Sequence, residues 1–219
     1  MCIRDRRKAF DREDLAKLFG TSEYIKATFP KPYMYWVPLI ALYTGARINE
    51  IAQLHVADFR EIEEIPVISI DDEGDEKRLK TGAAKRLIPV HPELIRLGLL
   101  KYVEQLRQKK AIRLFMELQP RRDGFGQTVS KWFGRYRERC GVNEEGKVFH
   151  SFRHTVIDGL KQAGEQKEKI AALVGHEDDS VTFGRYGKDY QPRVLLEVVC
   201  KLPSDATASI PPYRARPKT

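Results

Sequence analysis

The sequence predicts an α+β domain that is mainly α-helical and carries one small antiparallel β-sheet. Apolar residues recur with helical periodicity near the N-terminus and again from residue 92 onward. Between these regions, residues 67–70 and 86–90 are short apolar runs bounded by turn-forming residues, a pattern typical of strands. The 219 residues, of which 42% are apolar and 32% charged, are enough to bury one large core.

Three helices are expected before the sheet. Asp11 is a suitable N-cap for the first, because its carboxylate can accept from the free N–H groups of the first turn. Residues 33–43 are apolar nearly all round, which indicates a buried helix. Gly45 ends that helix, and the next is expected over 46–54. Arg47 would therefore lie in its first turn.

The sheet is predicted to have three strands, with a lysine at a hairpin. Residues 67–70 form one strand, and the acidic tract 71–76 is expected to be a solvated turn. Residues 79–81 begin the return and place Lys80 at the hairpin, and residues 86–90 form another strand.

The remainder is predicted to be helical, with a flexible end. Glycines at 141, 164 and 175 separate the expected helices, which cover about 92–110, 127–139, 151–163, 167–174 and 192–201. We expect one domain over 10–202, preceded by a leader over 1–9 that is disordered or an assembly scar. The segment 203–219 holds four of the 12 prolines and is expected to be a flexible tail.

Composition favours a polyanionic partner. Lys and Arg exceed Asp and Glu by 39 to 31, which gives a net charge of +8 and a pI near 9.3. The longest apolar stretch, residues 36–43, is far shorter than the roughly 20 residues of a membrane span, so no membrane partner is expected. The three cysteines lack metal-site spacing, and no signal peptide is visible, which favours a reduced cytoplasmic chain.

Five segments together hold the side chains needed to break a phosphodiester. An arginine fork donates two parallel hydrogen bonds to phosphate oxygens and stays charged. Histidine and lysine can donate or move a proton, and a tyrosine can attack to form a covalent ester. The candidate residues are Arg47, Lys80, His150, Arg153, His176 and Tyr186.

These segments, in this order, resemble the boxes of the tyrosine recombinases. Thr-Gly-Ala-Arg47-Ile-Asn-Glu is similar to the first-arginine motif of that family, and His150-x-x-Arg153 is similar to the second box. Leu-x-Gly-His176, followed after ten residues by Tyr186, resembles the C-terminal box. Leu-Lys80-Thr, followed by Lys-Arg-Leu-Ile-Pro-Val, resembles the lysine hairpin. The resemblance extends from about residue 10 to 200.

The resemblance implies the integrase catalytic-domain fold and a site-specific DNA recombinase. Tyr186 would attack the scissile phosphate and leave a 3′-phosphotyrosine and a free 5′-hydroxyl. Arg47 and Arg153 would hold the non-bridging oxygens, with His150 and His176 assisting and Lys80 as general acid. No cofactor, metal or ATP is implied.

The same resemblance implies how the enzyme assembles and what the chain lacks. Double-stranded DNA is the expected partner, bound as a homotetramer on paired recombination sites, with a free chain that is monomeric. A bacterial or phage origin is expected. The N-terminal DNA-binding domain that such enzymes generally carry is not visible in this sequence.

Several alternatives remain at this point. Tyr190 competes with Tyr186 as the nucleophile, and Lys77 and Lys85 compete with Lys80 as the acid. Two related functions are a type IB topoisomerase and a catalytically inactive DNA-binding regulator. A metal-dependent nuclease would need a carboxylate cluster that the sequence does not offer. His154 lies one helical turn after His150 but lacks a third ligand partner, so we expect it to pack rather than to bind metal.

Overall fold

The computed structural model describes residues 7–74, 77–79, 85–176 and 190–213. Within these ranges it confirms the predicted class, a helical domain with one small antiparallel sheet. The helices are α1 (Arg12–Phe19), α2 (Ser22–Ile25), α3 (Pro32–Thr44), α4 (Ile48–Ala52), α5 (Pro92–Arg96), α6 (Leu99–Gln108), α7 (Gly126–Arg139), α8 (Ser151–Gln162), α9 (Lys167–Val174) and α10 (Pro192–Val199). The strands are β1 (Phe59–Ile62), β2 (Ile65–Ile70) and β3 (Arg86–Pro89).

Helix α3 is the centre of the core, as its apolar sequence predicts. It is buried along nearly its full length and packs against α4, α7 and α8. It ends at Gly45, whose φ of 63° is in the left-handed region. A Cβ at Gly45 would lie 2.9 Å from Cγ1 of Val174, so α3 and α9 approach closely only because this residue is glycine.

Helix α4 begins later than the sequence predicts. Arg47 is its N-cap, with φ of −71° and ψ of 150°, and does not lie in the first turn. The reason is the side chain of Glu50, which accepts from the main-chain N–H of Arg47 at 2.9 Å. Asn49 then ties α4 to α7, since its Oδ1 accepts from the N–H of Gly126 at 2.6 Å.

The three-stranded sheet contains a strand that the prediction missed. Its order is β1-β2-β3, both pairs are antiparallel, and Val67 lies opposite Pro89. The sequence pattern does not predict strand β1, because the centre of the strand is charged and its turn to β2 contains no glycine. Glu63 and Glu64 make that turn with φ of 50° and 63°. Residue 79 is not in a strand, and residues 80–84 are outside the described ranges.

The predicted helix over 92–110 is two helices. Gly98, with φ of 93°, separates α5 from α6. The C-terminal segment also differs from expectation. Helix α10 packs on β2, β3 and α9, and residues 203–213, expected to be flexible, are docked on the domain. The main-chain N–H of Tyr213 donates to the carbonyl of Leu97 at 2.8 Å, and the Tyr43 hydroxyl lies 2.6 Å from Oγ1 of Thr207.

These contacts of residues 203–213 join residues far apart in the sequence, which proline content does not reveal, and the rest of the predicted tail lies outside the described residues. In the described ranges, none of the helices has the length and apolar character needed to cross a membrane. The predicted leader over 1–9 falls mostly outside the described residues, which begin at residue 7.

Candidate active site

The C-terminal end of α9 is the meeting point of the candidate site. Gly175 caps this helix in the left-handed conformation, with φ of 69° and ψ of 55°, and His176 follows it directly. The last carbonyl groups of a helix have no partner within the helix. Here the carbonyls of residues 173–175 accept hydrogen bonds from three arginines that come from three other parts of the chain.

Arg153 lies deepest of the three. It projects from α8, the helix that packs against both α3 and α9, and it is 2% exposed. Its Nη1 donates to the carbonyl of Gly45 at 2.9 Å and to that of Val174. Its Nη2 donates to the carbonyl of Gly175 at 3.4 Å. The guanidinium therefore ties together the ends of α3 and α9.

Arg47 also reaches the Gly175 carbonyl. Its Nη2 donates to the Gly175 oxygen at 3.3 Å, while its Nη1 donates to Oε1 of Glu50 at 2.8 Å. A quarter of the Arg47 side chain (25%) remains exposed. The two arginines that the sequence predicts as a clamp thus converge on one oxygen atom.

Arg86 is a member of this cluster that the sequence analysis did not assign to the site. It opens β3, and its side chain is 6% exposed. Its Nη2 donates to Oε2 of Glu50, and its Nε donates to the carbonyl of Leu173, both at 2.8 Å. A charged residue at the start of an apolar strand was the available signal. Its partners lie too far along the chain to be inferred from local pattern.

The cluster carries an excess of positive charge. Arg47 and Arg86 both pair with the Glu50 carboxylate, and the third guanidinium group, that of Arg153, donates to main-chain carbonyls. Burial, together with the charges of Arg47 and Arg86, lowers the pKa of Arg153. An arginine keeps its proton at neutral pH even so. The result is a cationic site with N–H donors preoriented toward an acceptor, which suits a phosphate oxygen.

Two histidines flank the arginines. His150 is the N-cap of α8 and lines an open groove together with Arg47, Arg78 and Ser130. The ring of His154 packs edge-on against that of His150, with centroids 5.2 Å apart, in agreement with a packing role. Partial burial, followed by the charges of Arg153 and Arg47, lowers the pKa of His176, so its imidazole is neutral at neutral pH.

Two predicted residues, Lys80 and Tyr186, lie outside the described ranges. The structure does describe the three alternative residues, Lys77, Lys85 and Tyr190. Lys77 is buried with 2% of its side chain exposed, and its Nζ is paired with Asp58 at 2.6 Å and Asp71 at 2.8 Å. This burial and pairing leave the Lys77 Nζ inaccessible to a ligand at the surface.

The other rivals are more accessible. Lys85 pairs at the surface with Asp72 at 2.6 Å. Tyr190 lines a cavity that also contains Arg86 and His176. Tyr190 therefore remains an alternative to Tyr186 as the nucleophile. Among the described residues, no group of three or more His, Cys, Asp or Glu side chains is arranged to hold a metal ion.

Solved structures with a similar fold include one site-specific recombinase and two integrases. The site-specific recombinase XerH, bound to palindromic difH substrate, is 21% identical with a TM-score of 0.55, and the match covers 81% of this chain and 48% of XerH. A lambda integrase tetramer bound to a Holliday junction is 21% identical with a TM-score of 0.53, covering 80% and 48% of the two chains. The integrase from mycobacterium phage Brujita is 19% identical with a TM-score of 0.52, covering 94% and 65%.

The chain spans about half the length of the XerH and lambda integrase chains, and at these identities the likeness establishes the fold. No curated protein sequence matches it. The model of the phage integrase family matches residues 8–192, which include every predicted site residue. The chain therefore belongs to the phage integrase family, the tyrosine recombinases that its motifs resemble.

Proposed function

We propose that this chain cuts and rejoins double-stranded DNA at specific sites through a covalent 3′-phosphotyrosine at Tyr186. The observation that carries the proposal is the convergence of Arg47 and Arg153 on the carbonyl oxygen of Gly175, one residue before His176. Two forked cations aimed at one oxygen acceptor form a clamp suited to the scissile phosphate.

Binding of DNA would exchange one acceptor for another. A non-bridging phosphate oxygen carries more negative charge than a carbonyl oxygen, so it accepts stronger hydrogen bonds. We expect it to replace the Gly175 oxygen at the Nη2 atoms of Arg47 and Arg153. The neutral imidazole of His176 and the ring of His150 supply further polar contacts at the edge of the clamp.

The proposed reaction has two steps, cleavage and rejoining, and each step replaces one phosphoester bond with another. The Tyr186 oxygen attacks phosphorus while its proton passes to water, and the bond from phosphorus to the 5′-oxygen breaks. Lys80 protonates the departing 5′-oxygen. Attack by a 5′-hydroxyl on the phosphotyrosine reverses these steps and releases the tyrosine. Because one phosphoester replaces another, rejoining consumes no ATP, and the proposal requires no metal ion.

The assembly is proposed by analogy. The XerH structure is bound to palindromic difH substrate, and the lambda integrase structure is a tetramer bound to a Holliday junction. We propose that this chain, too, acts as a tetramer on paired sites and is monomeric when free, in a bacterial or phage-infected cytoplasm. Strand exchange between two sites distinguishes this function from relaxation of supercoils by a topoisomerase.

The decisive experiment uses a suicide DNA substrate, in which a nick near the scissile phosphate lets the cleaved fragment diffuse away. Wild-type protein should accumulate a covalent protein–DNA species, in EDTA as well as in its absence. Tyr186→Phe, which keeps the ring and removes the nucleophilic oxygen, should form none while still binding DNA. The matched control, Tyr190→Phe, should cleave.

The reverse behaviour of the two tyrosine variants would reassign the nucleophile to Tyr190. Activity that is lost in EDTA and restored by magnesium would contradict the metal-free mechanism. A wild-type protein that binds DNA and forms no covalent species would favour the inactive regulator.

A further inference from the structure

Helix α4 has a functional residue at each end. Its N-cap is Arg47, one arm of the clamp, and its C-cap is Gln53, which is 5% exposed. The Gln53 side chain forms two hydrogen bonds to the main chain of Arg78. Its Nε2 donates to the Arg78 carbonyl, and its Oε1 accepts from the Arg78 N–H, each at 3.1 Å. The side-chain amide of Gln53 thus bonds to both main-chain polar groups of Arg78, as the main chain of an adjacent β-strand would.

The residues on either side of Arg78 are fixed as well. Lys77 is held by its ion pairs with Asp58 and Asp71, at 2.6 and 2.8 Å. Leu79 packs against the core and lines the groove shared by Arg47 and His150. Each residue of 77–79 is therefore anchored by a different contact, although the segment belongs to no strand.

The position of this segment in the sequence gives the contacts a functional meaning. Leu79 is followed directly by Lys80, the residue proposed as general acid. Proton transfer is sensitive to distance, and a misplacement of about 1 Å can cost roughly hundredfold in rate. A short helix that presents Arg47 at one end and grips Arg78 at the other fixes the segment preceding Lys80 relative to the phosphate clamp.

We propose that Gln53 is a positioning residue for the general-acid step, acting on Lys80 through the main chain of Arg78. This inference rests on the proposed function. The plain alternative is that Gln53 only caps α4 and stabilises the fold. The alternative predicts a loss of stability and an equal effect on every substrate, whereas positioning of an acid affects only those leaving groups that need a proton.

The test compares two DNA substrates, one with the normal 5′-oxygen at the scissile phosphate and one with sulfur in that bridging position. A thiolate leaves without general-acid assistance. Gln53→Met keeps the length of the side chain but removes both hydrogen bonds. It should cleave the oxygen substrate about tenfold to hundredfold more slowly than wild type, and the sulfur substrate within about threefold of wild type.

Three further variants complete the experiment. Gln53→Glu retains the acceptor for the Arg78 N–H but sets a buried carboxylate oxygen against the Arg78 carbonyl, so its defect should be at least as large as that of Gln53→Met and equally rescued by sulfur. Lys80→Ala should show the same rescue by sulfur. Tyr102→Phe removes a buried hydrogen bond of similar length, 3.0 Å to the Leu114 carbonyl, and should show no preference between substrates.

The cleavage rates on the two substrates distinguish the three ways in which the proposal can be wrong. If Lys80→Ala is rescued by sulfur but both Gln53 variants are equally slow on both substrates, or are as fast as wild type, Gln53 has no positioning role. If Lys80→Ala is not rescued, Lys80 is not the general acid, and the inference about Gln53 fails with it. If wild-type protein forms no covalent species on either substrate, the proposed function itself is wrong.

Discussion

Replacing Arg153 and Arg47 by lysine, one at a time, should lower cleavage to a similar degree and stability to different degrees. Each variant keeps a positive charge but loses the fork that holds two phosphate oxygens. Removing one preoriented donor from a developing oxyanion typically costs about 2.7–4 kcal/mol, or roughly 10²–10³ in rate. We expect both variants to cleave more slowly by that factor.

The difference in stability follows from the contacts of the two arginines. Arg153 supplies donors to three carbonyls, those of Gly45, Val174 and Gly175, and it is 2% exposed. A lysine reaches less far and leaves at least one of these buried carbonyls without a donor, which costs about 1–3 kcal/mol. Arg47 has 25% of its side chain exposed, and water can replace its contacts, so Arg47→Lys should cost less than about 1 kcal/mol.

Two measurements suffice. Single-turnover formation of the covalent complex on the suicide substrate gives the rate, and urea unfolding gives the free energy of unfolding. The reasoning is refuted if Arg153→Lys cleaves at the wild-type rate, or if it is as stable as the wild type. Greater destabilisation by Arg47→Lys than by Arg153→Lys would show that the depth of the two residues in the site is assigned the wrong way round.

The remaining predictions concern the supports of the clamp. Gly175→Ala should lower both stability and cleavage, because its φ of 69° is unfavourable for alanine and the added Cβ would lie 2.7 Å from Nη1 of Arg86; urea unfolding that matches the wild type would contradict this. Burial raises the pKa of Glu50, but the charges and hydrogen bonds of Arg86 and Arg47 outweigh it and leave the pKa below its ordinary value. Glu50 therefore contributes stability above its unfolded pKa of about 4.3, and this contribution is lost as the pH falls through the lower folded pKa. The difference in free energy of unfolding between wild type and Glu50→Gln should shrink over that acidic window and stay constant from about pH 6 to 8; a constant difference throughout would mean that the carboxylate charge is not what stabilises the cluster.

Local patterns in the sequence were enough to predict most of the fold. The N-cap at Asp11 is confirmed by the hydrogen bond from the Asp14 N–H to its carboxylate at 2.9 Å, which depends on residues only three apart. Strand β1 could not be predicted, because what identifies it is its pairing with β2 rather than its own polar sequence. The docking of Tyr213 among the aromatic rings of Tyr35, Trp36 and Tyr102 is likewise a long-range contact.

The residues of the candidate site also fall into two groups, those that local motifs predict and those that only long-range contacts reveal. Arg47, Arg153 and His176 were predicted from motifs, and the structure brings them together at Gly175. Arg86 was not assigned to the site, since its partner Leu173 is 87 residues away in the chain. Gln53 was missed because an amide that satisfies main-chain groups has no characteristic sequence pattern. A motif therefore predicts which side chains converge in the candidate site better than it predicts which residues hold them in place.

The excess positive charge at the end of α9 also makes the free energy of unfolding of this protein depend on which anions are in solution. Three guanidinium groups beside one carboxylate are a local conflict within an otherwise well-satisfied core, of the kind that functional sites tend to carry. A dianion that occupies the clamp relieves this conflict in the folded state alone. At a concentration one hundred times its dissociation constant, such a ligand adds about 2.7 kcal/mol to the free energy of unfolding. If phosphate or sulfate binds the clamp in this way, melting temperatures measured at such concentrations should exceed those measured in chloride.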